Sequence, residues 1–537
     1  MGIRRSRERL ATWIREHPVL PTLLLSLCLV MGTFALESDL LLVLADEGFL
    51  WYGAIRTSLG EVPIRDFQAY DPGRYYWAAL WSLLLGHGIV ALRFSTALFQ
   101  VLGLTLGLLA ARRTRLGGVA TVPIACVLVI WMFPWFKNVE SSLLMAAIYL
   151  ATSFVEKPTR GRHLAAGIFI GASAFFGRNL GIYNFAAFFL LILILHVKRH
   201  DGRLVDKLGI WTLGIAVGYS PMLAMFAFVP GFLESFVDSL RLYLDRGATN
   251  IALPIPWPWS ADPWPLTPRD LGRLPLYARW PWIFCGLTWL VFPAFCLFGI
   301  LLALRTRASD LGLRALPIAS ALVGLPYLHH AFSRADILHL APTLPALLLG
   351  LAGLPAAFGA ERRTWMRALV VAAIVLIFCA GARFDPFYAN RVSPSRGLLS
   401  EASVAGDTLF IKRKTARLIE AVRRIHADRV RTGESLLILP HAPGLYAVLG
   451  VRSPIWELYA SLRPTEKVVQ ELIPSLELRR VNWLLLADVS IDDREDLKLR
   501  RTHPELWDYL TSRFEPAKAP GLPRPYRLYR RRDPVSR

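Results

Sequence analysis

The chain has 537 residues, of which 54% are hydrophobic, and its mean hydropathy is +0.41. This excludes an ordinary soluble enzyme. Apolar runs recur from Val19 to Cys379, and a run of roughly 17–25 residues crosses a bilayer as a helix. A net charge of +21 would suggest nucleic acid in a soluble protein, but here Lys and Arg cluster in short loops between apolar runs, as the positive-inside rule expects.

The first apolar run follows Arg4, Arg5, Arg7 and Arg9, and "GTFA" at 32–35 is only a weak cleavage match. The reading is an uncleaved first span. Spans are expected at about 19–36, 92–111, 117–135, 139–155, 163–176, 180–197, 208–230, 282–304, 314–330, 336–358 and 367–383. The run Tyr75–Leu92 is long enough to compete, and charge decides against it. With 75–92 not crossing, the clusters Arg112/Arg113/Arg115, Lys157/Arg160/Arg162, Lys198/Arg199/Arg203, Arg305/Arg307 and Arg362/Arg363/Arg367 all fall inside. The 75–92 segment is then an interfacial helix, with Tyr75, Tyr76, Trp77 and Trp81 at headgroup level.

The expected fold is therefore mainly α, a polytopic helical membrane protein with about eleven spans over 1–383. It has two outer loops, 37–92 and 231–281. The second is amphipathic at "FLESFVDSLRLYLDR" and then Pro/Trp-rich at "LPIPWPWSADPWP". Residues 384–537 read as a small α/β domain. "IKRKTARLIEAVRRIHADRV" has helical spacing through Ile411, Leu418, Ile419, Val422 and Ile425. "SLLILP", "VNWLLLAD" and "YRLYRR" read as strands, with helices at "TEKVVQELI" and, after Pro504, at "HPELWDYLTSRF". An odd number of crossings puts this tail outside. A reporter active only outside the cytoplasm, fused after Arg537, should work there. An active cytoplasmic reporter instead would mean that 75–92 crosses or that a span is miscounted.

Four polar groups fall at the outer edge on this topology. Asp46, Glu47, Asp66, Asp71 and Arg74 lie in the first outer loop. Lys137, Asn138 and Glu140 lie between the third and fourth spans. Arg178, Asn179 and Tyr183 lie in "FFGRNLGIYNF", and His329, His330, Arg334, Asp336 and His339 lie in "YLHHAFSRADILHLAP". A charge at a span end often only marks the water boundary. Arg178 and Asn179, however, interrupt an apolar stretch, and ionisable groups in hydrocarbon tend to face cavities or partners. The His330–His339 spacing resembles a metal site only loosely, and Arg334 would oppose a cation. No metal or other cofactor is called, and a divalent cation is not excluded. An acid beside the bilayer can deprotonate an acceptor hydroxyl, while basic groups hold a lipid-linked phosphate.

The block "ADEGFLWYGAIRTSLGEVPIRDF…DPGRYYW" resembles the first outer loop of the GT-C glycosyltransferases, nearest the group of protein O-mannosyltransferases and aminoarabinose transferases of lipid A. The resemblance implies that Asp46 is the catalytic acid and that Glu140, in "FKNVESSLL", takes the second acidic position. That group more often has a sequence near "ARPD" there, so Lys137 and Glu140 depart from it. The resemblance also implies a polyprenyl-phosphate-linked sugar donor. The acceptor would be a glycan, glycolipid or protein.

The reading is an inverting glycosyltransferase of the cell's inner (plasma) membrane, surrounded by membrane lipids and binding no nucleic acid. Its N-terminus is cytoplasmic; its C-terminus and active site are extracytoplasmic. Asp46 and Glu140 are the catalytic candidates. Glu47, Asp71, Arg74, Tyr75, Lys137, Arg178, Asn179, Tyr183, His330, Arg334, Asp336 and His339 are candidates for substrate contact. A transporter or flippase of a lipid-linked sugar is the rival, though transporters tend to hold ionisable groups near the midplane. An inactive assembly partner with the same fold is another.

Overall fold

The computed structural model describes residues 16–113, 118–133, 135–200, 202–245, 251–259, 276–358, 360–387, 390, 398–460 and 462–533. Arg4–Arg9, Arg115 and the Pro/Trp-rich residues 260–275 lie outside these. The chain divides into two compact units.

One unit, Met1–Leu36, Thr96–Ala224 and Thr249–Ala389, is helical. Among the described residues of the chain, eight helices are long and apolar enough to cross a membrane: Val19–Glu37, Ile89–Arg112, Val139–Glu156, Arg178–Arg199, Trp282–Arg305, Ala308–Ser333, Ile337–Ala357 and Thr364–Phe384. Each matches a span expected from hydropathy. The run at 208–230 forms two helices, Leu204–Gly218 and Ser220–Phe228, bent by 54°. The run at 163–176 is helical over Arg160–Phe176. The span expected at 117–135 is shorter than its apolar run, because the helix covers only Gly118–Ile130.

Val139–Glu156 is the most buried of these helices, whereas Val19–Glu37 and Thr364–Phe384 are mostly exposed. Helices Arg160–Phe176 and Leu204–Gly218 meet through two facing Gly-x-x-x-Gly pairs. A Cβ on Gly167 would lie 2.1 Å from the Trp211 carbonyl oxygen, and one on Gly218 would lie 2.0 Å from that of Ile168. Only glycine allows that approach, which is the small-residue packing that membrane helices use in place of hydrophobic association.

The other unit is made of three segments, Glu37–Ser95, Met225–Ala248 and Asn390–Arg537. Its tail holds a hairpin, Leu399–Val404 and Asp407–Lys412, turning through Ala405 and Gly406 at positive φ, the backbone of a tight two-residue hairpin turn. A four-stranded mixed sheet follows. Ser435–Leu439 pairs parallel with Val481–Ala487, which pairs antiparallel with Tyr526–Arg531, and that strand pairs antiparallel with Phe514–Ala517. The parallel pair needs a crossover, supplied in part by helix Glu466–Leu478, which Thr465 caps. Helix Arg413–Arg429 buries Leu418, Ile419, Val422 and Ile425 as its spacing predicts, but Ile411 belongs to the strand before it.

The expected interfacial segment 75–92 is corrected in two ways. The helix is Pro72–Leu85, ending at Gly86, and Ile89–Leu92 begins the next helix. Fourteen residues rise about 21 Å, short of a ~30 Å hydrocarbon core. Tyr75 does not face outward but is buried, its ring edge-on to Phe67 and its hydroxyl accepting from the Tyr70 N–H at 3.1 Å. The exposed face is Tyr76, Leu80, Leu83 and Leu84.

Candidate active site

Asp46 and Glu47 open the helix Asp46–Ser58, where carboxylates meet the positive end of the helix dipole. Successive residues on a helix point about 100° apart, and the two acids have separate fates. Glu47 is 3% exposed and forms a two-pronged ion pair with Arg93, Nε to Oε1 at 2.7 Å and Nη2 to Oε2 at 2.8 Å. Arg93 is 1% exposed, and it also donates to the carbonyls of Ser38, Leu40 and Leu41. The pair ties 38–41 to the helix. It holds Leu41 at φ 60, a region unfavourable for a side chain with a Cβ. Glu47 is thus built into the scaffold, against the expectation that it contacts substrate.

Asp46 is only half buried. Its Oδ1 accepts from the Tyr459 hydroxyl at 2.7 Å, and Oδ2 makes no hydrogen bond among the described residues. Tyr459 packs against Phe49 at 5.0 Å between centroids, and the His441 ring lies nearly parallel to it, at 11° and 6.3 Å. Burial, reinforced by the Asp46 carboxylate, pushes the Tyr459 phenol well above its ordinary range, so it stays a donor. Burial lowers His441 and outweighs the opposing pull of Asp46. Gly48 is required here because a Cβ would lie 2.6 Å from the Gly444 backbone.

The rest of the loop is packed rather than open. Asp71 is buried just before helix Pro72–Leu85. Arg74 is 9% exposed, with its guanidinium 5.0 Å from the Tyr70 ring centroid, a cation–π arrangement rather than the open phosphate contact expected. Asp66 accepts from the Val62 N–H and from Arg65 within a turn.

The helical unit gathers the other candidates. Lys137 ends a 3₁₀ turn, and its Nζ lies 2.6 Å from His339 Nε2. An ammonium is only a donor, so Nε2 accepts, His339 is neutral, and its Nδ1–H donates to Asp336 Oδ1 at 2.7 Å. Asp336 also caps the short helix Ile337–Leu340 through the His339 N–H and takes Arg334 Nε on Oδ2 at 2.8 Å. His330 lies beside His339, with ring centroids 5.4 Å apart. Glu140 is buried one turn after Lys137. Tyr183 hydrogen-bonds to His329 at 2.7 Å, while Arg178 and Asn179 are half buried at the start of helix Arg178–Arg199. Arg334 therefore has its anionic partner in Asp336. Among the described residues, no cluster of three or more His, Cys, Asp or Glu could hold a metal.

Sequence reasoning missed Arg93, Tyr459 and His441. Arg93 had a signal: it is an arginine at the start of an apolar run, and such residues need partners. Tyr459 and His441 had none, since each lies about 400 residues from Asp46 and nothing in their local spacing sets them apart.

No family model and no curated protein match the sequence. Two solved structures of ArnT from Cupriavidus metallidurans are similar to it, each at 12% identity. The one bound to undecaprenyl phosphate has a TM-score of 0.47, with 95% of this chain and 97% of that chain covered. The apo form has a TM-score of 0.48, with 96% and 98% covered. At this level of similarity the comparison carries no argument about chemistry, which must come from this chain's own residues.

Proposed function

We propose that the protein is a membrane glycosyltransferase that moves a sugar from a polyprenyl-phosphate donor to an acceptor hydroxyl at the outer face, with inversion. The observation that carries this reading is the division of the acid pair. Glu47 is locked by Arg93, while Asp46 keeps one carboxylate oxygen open beside a fixed one. That suits a general base, whose free oxygen takes the acceptor proton as the hydroxyl attacks the anomeric carbon. The phosphate leaves with the bond's electron pair. In the helical unit, Lys137, held beside the His339 ring, and Arg178, next to an apolar segment, are the candidates from the sequence for contact with a lipid-linked phosphate. Glu140 supports from the second acidic position. The tail and the active site are assigned to the extracytoplasmic side.

The test is sugar transfer by the purified protein in vesicles, using undecaprenyl-phosphate sugars as donors. Release of undecaprenyl phosphate with sugar appearing on an added hydroxyl acceptor supports the reading. Movement of intact donor between leaflets without cleavage would favour the flippase.

Lys137→Ala should raise the donor concentration for half-maximal rate by about tenfold or more, the loss expected for one charged hydrogen bond, with little change in acceptor KM. An unchanged donor KM would remove Lys137 from the phosphate site.

A further inference from the structure

Asp46 is completed by a segment from the other end of the chain. The stretch Ile455–Ala460 is laced to the first outer loop. Gln68 N–H donates to the Trp456 carbonyl at 2.9 Å, and Gln68 Oε1 accepts from the N–H groups of Leu458 and Tyr459, both at 2.8 Å. The Trp456 indole donates to the Ile64 carbonyl at 2.9 Å, where Ile64 is held at φ 74. From the other side, Glu457 meets His503 at 2.9 Å, with both side chains almost fully buried. Phe49 and His441 then pack against the Tyr459 ring. Tyr459 is left little freedom to turn, and its hydroxyl meets one specific oxygen of Asp46.

We propose that Tyr459 is a positioning residue for the transfer reaction, fixing the Asp46 carboxylate through Oδ1 so that Oδ2 faces the acceptor hydroxyl. The inference rests on the base role proposed for Asp46. A carboxylate on a single bond from its Cβ rotates readily. A phenol of fixed position that donates to one oxygen removes that freedom before the acceptor arrives, and such pre-alignment is where much of a catalytic group's effect comes from. Tyr459 itself exchanges no proton in the reaction, because burial and the neighbouring carboxylate keep its phenol protonated.

The experiment compares Tyr459→Phe with Asp46→Asn, each assayed for sugar transfer per folded molecule and for thermal stability. Tyr459→Phe keeps the ring and its packing and removes one oxygen. The expected result is a fall in kcat of about ten- to a hundredfold, with donor and acceptor KM and the melting temperature near wild type. Gln68→Leu, which removes the acceptor of the Leu458 and Tyr459 N–H groups and leaves the Tyr459 hydroxyl in place, should lower kcat in the same direction by less. If Tyr459→Phe turns over like wild type per folded molecule while Asp46→Asn is inactive, the positioning role is overturned and the base role stands. If Tyr459→Phe loses only stability, the residue is structural and the inference fails. An active Asp46→Asn overturns both.

Discussion

Asp46→Asn is expected to lower sugar transfer by about 10²–10⁴-fold, the range that general-base catalysis contributes, while the protein still inserts and keeps its fold. The reason is chemical rather than steric. An amide has nearly the carboxylate's shape, and its oxygen can still accept the Tyr459 hydroxyl, so the packing of Phe49, His441 and Tyr459 survives. What is lost is the second basic oxygen, which makes no hydrogen bond among the described residues. The measurement is initial rate at saturating donor and acceptor in vesicles matched for protein. Near-normal turnover would sink the base assignment and pass the role to Glu140.

Glu47→Gln should behave differently although it lies next in sequence. Its effect is predicted on stability, at about 3–5 kcal/mol, the usual result of leaving one half of a buried ion pair without its partner. Arg93 would stay almost fully buried with its charge uncompensated, and the Leu41 turn it holds would loosen. Arg93→Met alone should cost a similar amount. The double variant Glu47→Gln/Arg93→Met should recover part of it, because no charge is then stranded. Detergent-solubilised melting curves read this directly. A Glu47→Gln protein as stable as wild type, yet inactive, would move Glu47 back to the reacting centre.

Much of this was legible in the sequence, for identifiable physical reasons. The spans were readable because long apolar runs have few other fates. "SLLILP" and "VNWLLLAD" were readable because a strand buried on both faces becomes a short continuous apolar run. Ile411 was misread because apolar spacing continues across the boundary between strand Asp407–Lys412 and the helix that follows. The hairpin before it was missed because Ala405 adopts positive φ without being a usual turn residue. The acid pair stood out, but its division of labour did not. Glu47 is decided by an arginine 46 residues on, and Asp46 by a tyrosine 413 residues on. Contacts at that separation leave no periodic trace.

The lacing between Gln68 and the 455–460 segment has a consequence in time. Its partners lie about 390 residues apart, so at translation rates of about 5–20 residues per second they are made roughly 20–80 seconds apart. The Glu47–Arg93 clamp closes almost as soon as its own stretch leaves the ribosome. The Tyr459 hydroxyl reaches Asp46 only when nearly the whole polypeptide exists. A nascent chain thus carries the acid without its tyrosine partner until the tail is made, and the order of synthesis leaves the reacting group unfinished for most of that time.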